Sequence, residues 1–266
     1  MADDFRGRRQ VTILAYSDPN GFDPGDFYRD LSTVRKAMDS NRKTAIITGI
    51  LILTVLASSI LSGSFSGSID DPNYLIAVSE DESQVLIGVL FMVTLTVSVV
   101  AIPIVLFPVL KRHKERLAIG YIVARIFEGL FDVVIYGIVP LLLLTLSIEF
   151  VEAGAPVDSN FQTSGALLLA LRDWASILEN FPYGLGVLIL NYVLYRSELV
   201  PRWLSFWGLI GAILILAMGL LRLLGYPVIF LAIPIILNEL VLAILLIARG
   251  FNSSAVASEP AETTMN

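Results

Sequence analysis

The chain has 266 residues, of which 56% are hydrophobic and 16% are charged, and its formal net charge is −6. Because soluble globular domains carry about 25% charged residues, this composition excludes an ordinary soluble protein and predicts an integral membrane protein. The chain has no cysteine and only one histidine, His113, which excludes disulfides, thiol chemistry and a metal site built on several histidines. We therefore predict neither a bound metal nor a cofactor.

The two ends of the chain differ from the rest in being polar. Residues 1–40 lack the apolar core of a signal peptide and predict a disordered cytoplasmic segment. A second interpretation is an over-extended start, with translation beginning at Met38. Residues 252–266 are predicted to form a disordered cytoplasmic tail.

Between these ends, residues 41–251 contain six apolar runs that are long enough to cross a bilayer. The predicted spans cover about residues 44–61, 85–110, 117–146, 166–195, 203–224 and 228–248. We predict an all-α fold, a polytopic bundle of six transmembrane helices with no β-sheet. Pro182-Tyr-Gly-Leu-Gly186 lies inside span four and predicts a kinked or broken helix there.

The distribution of basic residues predicts the orientation in the membrane. The loops at residues 63–84 and 149–165 contain no Lys or Arg, whereas residues 111–116 are strongly basic. By the positive-inside rule, both termini lie in the cytoplasm, at the plasma (inner) membrane. The basic loop is either a topology signal only or a site for anionic lipid head groups, with Lys111, Arg112, Lys114 and Arg116 as its candidates. The few basic residues follow the membrane boundary, so we expect no nucleic-acid partner.

Span three carries three charges at a depth where charges are costly. Arg125, Glu128 and Asp132 are three and four residues apart, so they share one helical face. By depth, Arg172 and Asp173 of span four lie level with Asp132, and Asn238 and Glu239 of span six lie level with Glu128. We expect Arg172 to pair with Asp132 or Asp173, and Arg125 with Glu128 or Glu239. The candidate ligand, ion or proton-binding residues are therefore Arg125, Glu128, Asp132, Arg172, Asp173, Asn238 and Glu239.

The charges in this polar centre do not balance, because two arginines face four carboxyl groups. Such an excess in a low dielectric predicts that a carboxyl is protonated or that a cation is bound. The best interpretation is binding or transport of a small solute or cation, with proton coupling as one option. The alternatives are a structural or accessory subunit and a lipid-modifying enzyme. No catalytic residue is predicted, since the sequence has no hydrolase, metalloprotease or phosphate-loop pattern. Gly208, Gly211 and Gly219 of span five predict close helix packing, within the chain or in a homo-oligomer.

Several short motifs follow one another along the membrane part: Asn41-Arg-Lys-Thr-Ala45, Phe107-Pro-Val-Leu-Lys-Arg-His113, Gly120-Tyr121, Arg125-Ile-Phe-Glu128, Ala170-Leu-Arg-Asp-Trp174, Leu199-Val-Pro-Arg-Trp-Leu204, Trp207-Gly-Leu-Ile-Gly-Ala212, Leu237-Asn-Glu239 and Gly250-Phe251. In their order and spacing they resemble the bacterial membrane family catalogued as domain of unknown function 4386, over about residues 41–251. The resemblance implies a six-span membrane fold without an assigned activity. Glu179-Asn180 departs from the apolar residues usual in the family, so no shared role is carried onto it.

Overall fold

The computed structural model describes residues 24–156 and 160–252, with side chains from Ser40 onward. The described residues form helices and no strand, which confirms the all-α class. The helices are α1 (Pro24–Phe65), α2 (Tyr74–Glu80), α3 (Glu82–Val133), α4 (Val139–Glu152), α5 (Asn160–Ser197), α6 (Arg202–Leu223) and α7 (Ile233–Ala248). The predictions of a disordered head, of a start at Met38 and of a disordered tail concern mainly residues outside this description, and they stay predictions.

The helices are apolar on their outer surface as well as in their core. Among the described residues, five helical stretches are long and apolar enough to cross a membrane, judged by length and composition: Ser40–Phe65, Glu82–Glu152, Asn160–Ser197, Arg202–Leu223 and Ile229–Ala248. Large apolar side chains such as Leu90, Leu167 and Ile213 are more than half exposed. A soluble protein rarely exposes apolar surface on this scale. The outer surface therefore indicates a membrane-embedded protein.

The longest stretch is not one straight helix. Its 71 residues would extend about 105 Å at about 1.5 Å per residue, against a hydrocarbon core of about 30 Å. Lys114 has a non-helical backbone, with φ −155° and ψ 88°, and divides α3 into a first arm (82–113) and a second arm (115–133). Gly129 on the second arm lies against Thr96 and Val100 on the first. The two arms thus fold back on each other at Lys114, where the sequence predicts the loop between spans two and three.

Small residues allow close contact where α1 meets its neighbours. The Ser62 hydroxyl of α1 donates to the carbonyl of Gly88 in α3 over 2.9 Å. A Cβ at Gly49 would meet the backbone carbonyl of Ala243 in α7 at 2.7 Å. Helix α1 therefore packs between the first arm of α3 and α7. Small residues at such interfaces let the backbones of membrane helices approach closely.

The glycines of α6 are also used for packing within the chain. Gly208 lies against the side chain of Asn191 in α5, Gly211 lies against Ile235 in α7, and Gly219 lies against Asn180 in α5. All three glycines are buried. They do not offer a free face to a second copy, and the homo-oligomer through span five stays a prediction.

Several chain connections meet at one end of the bundle. Arg42 of α1 donates to the carbonyls of Ile247 (3.0 Å) and Ala248 (3.2 Å) at the end of α7. Leu199, in the turn between α5 and α6, accepts from the backbone N–H of Asn252 over 2.9 Å. One apolar cluster here joins both arms of α3 near their fold to α5 and α7. The basic segments of the sequence therefore lie at the same end.

Two local features differ from expectation. Helix α5 runs unbroken through Pro182, so the broken-helix alternative for residues 182–186 is wrong. Gly184 and Gly186 there let Leu216 and Arg125 pack closely, and neighbouring helices can hold a proline-containing helix together. The irregular turn occurs instead at Val134–Ile138, a π-type turn. It precedes Pro140, which has no N–H and crowds the carbonyl four residues earlier.

Candidate functional site

The second arm of α3 carries the three most deeply buried charged side chains among the described residues. Arg125, Glu128 and Asp132 are 3%, 5% and 3% exposed and occupy one face, as the spacing predicts. The Arg125 guanidinium (Nη1) lies 3.0 Å from Glu128 Oε2. The pairing of Arg125 with Glu128, one of the two expected, is confirmed.

Helix α5 forms the facing wall. A Cβ at Gly186 would lie 3.3 Å from Cδ of Arg125, so this glycine leaves the space that the arginine occupies. The ring of Tyr183 has its centroid 5.9 Å from Cζ of Arg125, within the range of a cation–π contact. One turn earlier, Glu179 interacts electrostatically with Asp132 and Glu128.

The sequence assigns no role to Glu179, whereas the structure places it beside Asp132 and Glu128. The available signal is a stripe of span four at intervals of three and four residues: Arg172, Ser176, Glu179, Tyr183 and Gly186. Comparison with the apolar residues usual at this position hides that pattern. The helical period is the better guide here.

Helix α7 supplies the third side with Glu239. Its carboxyl interacts with the Arg125 guanidinium and with the Tyr183 hydroxyl. Its neighbour Asn238 points elsewhere, since the Asn238 amide donates to the carbonyl of Leu204 in α6 over 2.9 Å. Asn238 thus joins two helices, whereas Glu239 belongs to the charged centre.

These side chains surround a cavity of about 140 Å³. Four carboxyl groups line it, from Glu128, Asp132, Glu179 and Glu239, against the single guanidinium of Arg125. Three buried polar atoms of the lining have no hydrogen-bond partner: Nε of Arg125, Oε2 of Glu128, which lies in the ion pair with Arg125, and Oδ2 of Asp132. The cavity therefore combines a surplus of negative groups with an unpartnered acceptor.

The opposite wall of the cavity is apolar. Val55 and Leu56 of α1 and Leu95 and Val99 of the first arm of α3 form it. A second, small cavity of about 20 Å³ shares Val55, Arg125 and Glu239 with the first, and it extends towards Tyr121 and Asn238. Arg125 and Glu239 therefore lie between the 140 Å³ cavity and the 20 Å³ cavity.

The structure does not bring the span-four pair into this centre. Arg172 forms an ion pair with Asp70 of the Gly67–Asp70 turn, with Nη1 and Oδ1 2.7 Å apart. The expected pairing of Arg172 with Asp132 or Asp173 is wrong. Arg172 lies about two turns beyond Glu179, so it reaches the end of the bundle. Asp173 is exposed, because one residue along a helix is a rotation of about 100°.

Other polar groups complete the surroundings. At the edge of the site, Arg222 of α6 donates to the carbonyl (3.2 Å) and the hydroxyl (2.9 Å) of Ser176. Among the described residues, no group of three or more His, Cys, Asp and Glu side chains is arranged to hold a metal ion.

Exposed basic side chains lie where α3 folds back on itself, at Lys111, Arg112, Lys114 and Arg116. Their binding of lipid head groups stays a prediction.

A family model described as Domain of unknown function (DUF4386) matches residues 47–250 of the chain. The chain belongs to this family. The matched stretch of this DUF4386 protein contains every residue that lines the 140 Å³ cavity. Comparisons with curated proteins and with solved structures returned no match. Family membership assigns no activity.

Proposed function

We propose that this DUF4386 protein binds a small cation in the 140 Å³ cavity, in exchange for protons, and moves it through the membrane. The observation that carries the proposal is the imbalance of four carboxyl groups against one guanidinium in the lining of one cavity. Structural ion pairs hold helices together with matched charges. Arg222 of α6 also interacts with Glu179, so two carboxyl groups remain in excess over Arg125 and Arg222, and this surplus calls for a counter-ion.

The physical argument concerns the cost of the surplus charge. Arg125 can offset one carboxylate, and Glu128 already lies 3.0 Å from it. Arg222 of α6 faces Glu179. Ionised carboxylates at Asp132 and Glu239 in addition would be uncompensated in the low dielectric, and such a charge costs several kcal/mol. Protons can neutralise these groups while the cavity is empty, and a bound cation can replace the protons. Cation and protons thus compete for the same carboxyl groups.

Movement through the membrane is supported by the position of Arg125 and Glu239. They lie between the larger cavity and the small one, which is about large enough for a water molecule. A path divided by an ion-pairing group is what a transporter needs, since its binding site must open to one side at a time. The Arg125–Glu239 interaction is the proposed barrier.

We further propose six crossings, with both termini on the cytoplasmic side of the plasma membrane. The fold of α3 at Lys114 supports two crossings for that helix with its continuation through α4. Arg42 at the end of α7 supports placing the first and last crossings together. The basic residues are concentrated at this end, and the positive-inside rule then gives its cytoplasmic orientation.

The test is the thermal unfolding midpoint of the purified protein in detergent, measured across pH and with inorganic cations, protonated amines and neutral solutes. A ligand that binds only the folded state raises the midpoint with its concentration. We expect a cation to raise the midpoint at neutral pH and less at acid pH, where protons compete. Glu128→Gln and Glu239→Gln should abolish the response. Asp173→Asn, which removes an exposed carboxylate of α5 outside the cavity, should keep it.

A flat response to every cation at every pH would contradict the proposal. The charged centre would then be a structural feature, and the activity would lie with a partner protein.

A further inference from the structure

We infer that the ligand is a small organic ammonium ion with an apolar body, about six non-hydrogen atoms in all. The inference rests on the proposed function and names its substrate class. The size follows from the volume of the cavity, which is about 140 Å³ and is partly open to its surroundings. An apolar cavity of about 150 Å³ in a protein core holds one benzene molecule, which has six non-hydrogen atoms.

The two walls of the cavity match the two ends of such an ion. The charged wall comes from the second arm of α3, α5 and α7 and contains Glu128, Asp132, Glu179 and Glu239. The other wall comes from α1 and the first arm of α3. Its side chains are aliphatic except for that of Ser59. An inorganic cation would leave the aliphatic wall without a partner, whereas an alkyl group would fill the space beside it.

The acceptor geometry also favours an ammonium group. Oδ2 of Asp132 is buried and unpartnered, so it can accept a hydrogen bond from a ligand N–H. A metal ion would need several oxygen ligands to converge, and the carboxyl groups of the described residues do not form such a group. The rings of Tyr136 and Tyr183 line the same space, and aromatic rings can contact a cation. Tyr183 already lies beside the Arg125 guanidinium, so Tyr136 is the ring assigned to the ligand.

The experiment uses a series of primary alkylammonium chlorides from methyl to decyl, with alcohols of the same lengths as neutral isosteres and with Na⁺, K⁺ and Ca²⁺. Affinity is obtained from the concentration dependence of the unfolding midpoint of the full chain in detergent. We expect affinity to rise about fourfold for each added CH₂ and to peak at butyl- or pentylammonium. The alcohols and the inorganic cations should bind at least tenfold more weakly.

Variants of the aliphatic wall test the size argument. Leu95 is 3% exposed and lines the cavity, so Leu95→Ala should move the peak to a chain about two to three carbons longer. Val99→Ala is a second, smaller enlargement if Leu95→Ala does not fold. Leu90→Ala is the matched control on the same helix, because Leu90 is 67% exposed and lies outside the cavity. Asp132→Asn keeps the shape of the acceptor but removes its charge, and it should lower the affinity of every amine at least tenfold.

The outcomes separate this inference from the proposed function. A peak that moves with Leu95→Ala or Val99→Ala but not with Leu90→Ala supports the inference. Tighter binding of an inorganic cation than of any amine would overturn the inference and leave the proposed function standing. An affinity peak that stays at the same chain length in both enlarged variants would also overturn the inference and leave the proposed function standing. Absence of binding by every cation, organic and inorganic, would overturn both.

Discussion

Replacing Arg125 by methionine removes the one guanidinium of the cavity lining while keeping a long side chain beside Gly186. In the native protein the Nη1–Oε2 distance to Glu128 is 3.0 Å, and both side chains are almost fully buried. At an effective dielectric constant of about 20, Coulomb attraction at this distance is about 5.5 kcal/mol. Part of it is offset by the desolvation of the guanidinium, which the methionine does not require. We expect Arg125→Met to lower the free energy of unfolding by about 3–5 kcal/mol, the range for a buried pair broken on one side.

The assay is equilibrium unfolding in mixed micelles, with three comparisons. Glu128→Gln should cost less than about 1 kcal/mol, because Glu239 still faces Arg125 and one surplus carboxylate has been removed. The double variant Arg125→Met/Glu128→Gln should be more stable than Arg125→Met alone. Arg172→Met is the control, since its pair with Asp70 is partly exposed and should contribute only about 0.2–1 kcal/mol. Equal costs for Arg125→Met and Arg172→Met would refute the reasoning that the buried charge is under-compensated.

Three further predictions concern the same bundle. Glu179→Gln should raise the unfolding midpoint at pH 8.5 and leave it unchanged at pH 5, because burial of the ionised carboxylate costs more than is gained from its interaction with Arg222 of α6. A lower midpoint at pH 8.5 would contradict this reasoning. Gly208→Ala should cost about 1–3 kcal/mol in unfolding free energy, since the new Cβ would overlap the buried side chain of Asn191. Gly63→Ala, where nothing lies within 4 Å, is its control, and equal costs would count against the packing argument. Asn238→Leu should cost about 1–3 kcal/mol through a lost buried hydrogen bond, yet keep the cation response, and loss of that response would extend the site to Asn238.

Much of the architecture follows from patterns that are local in the sequence. Long apolar runs predict the helices, and the basic loop at residues 111–116 contains the break at Lys114. The spacing of Arg125 and Glu128 predicts their ion pair, because residues three apart on a helix are neighbours whatever surrounds them. These predictions depend on one helix at a time.

The predictions that were wrong depend on how one helix is rotated against another. Depth alone places Arg172 level with Asp132, but the side chain reaches Asp70 in a turn at the end of the bundle. Glu179 enters the cavity because α5 turns that face towards α3, and Gly186 allows the close approach. The proline in α5 does not break its helix, and α3 and α6 both pack against α5, as neighbouring helices that support a proline-containing helix do. Rotation and packing of this kind are set by many contacts at once.

The central claim is that a cation replaces protons in the cavity, and proton release tests it most directly. We would titrate the protein with butylammonium at pH 7.5 by calorimetry, in two buffers that differ in their heat of ionisation. The difference in binding heat reports the number of protons released for each ion bound. The account predicts about one proton released per cation in the native protein, because the surplus carboxylates must be neutralised by one or the other, and an affinity at least tenfold lower in Asp132→Asn. Binding of butylammonium without proton release would contradict the account.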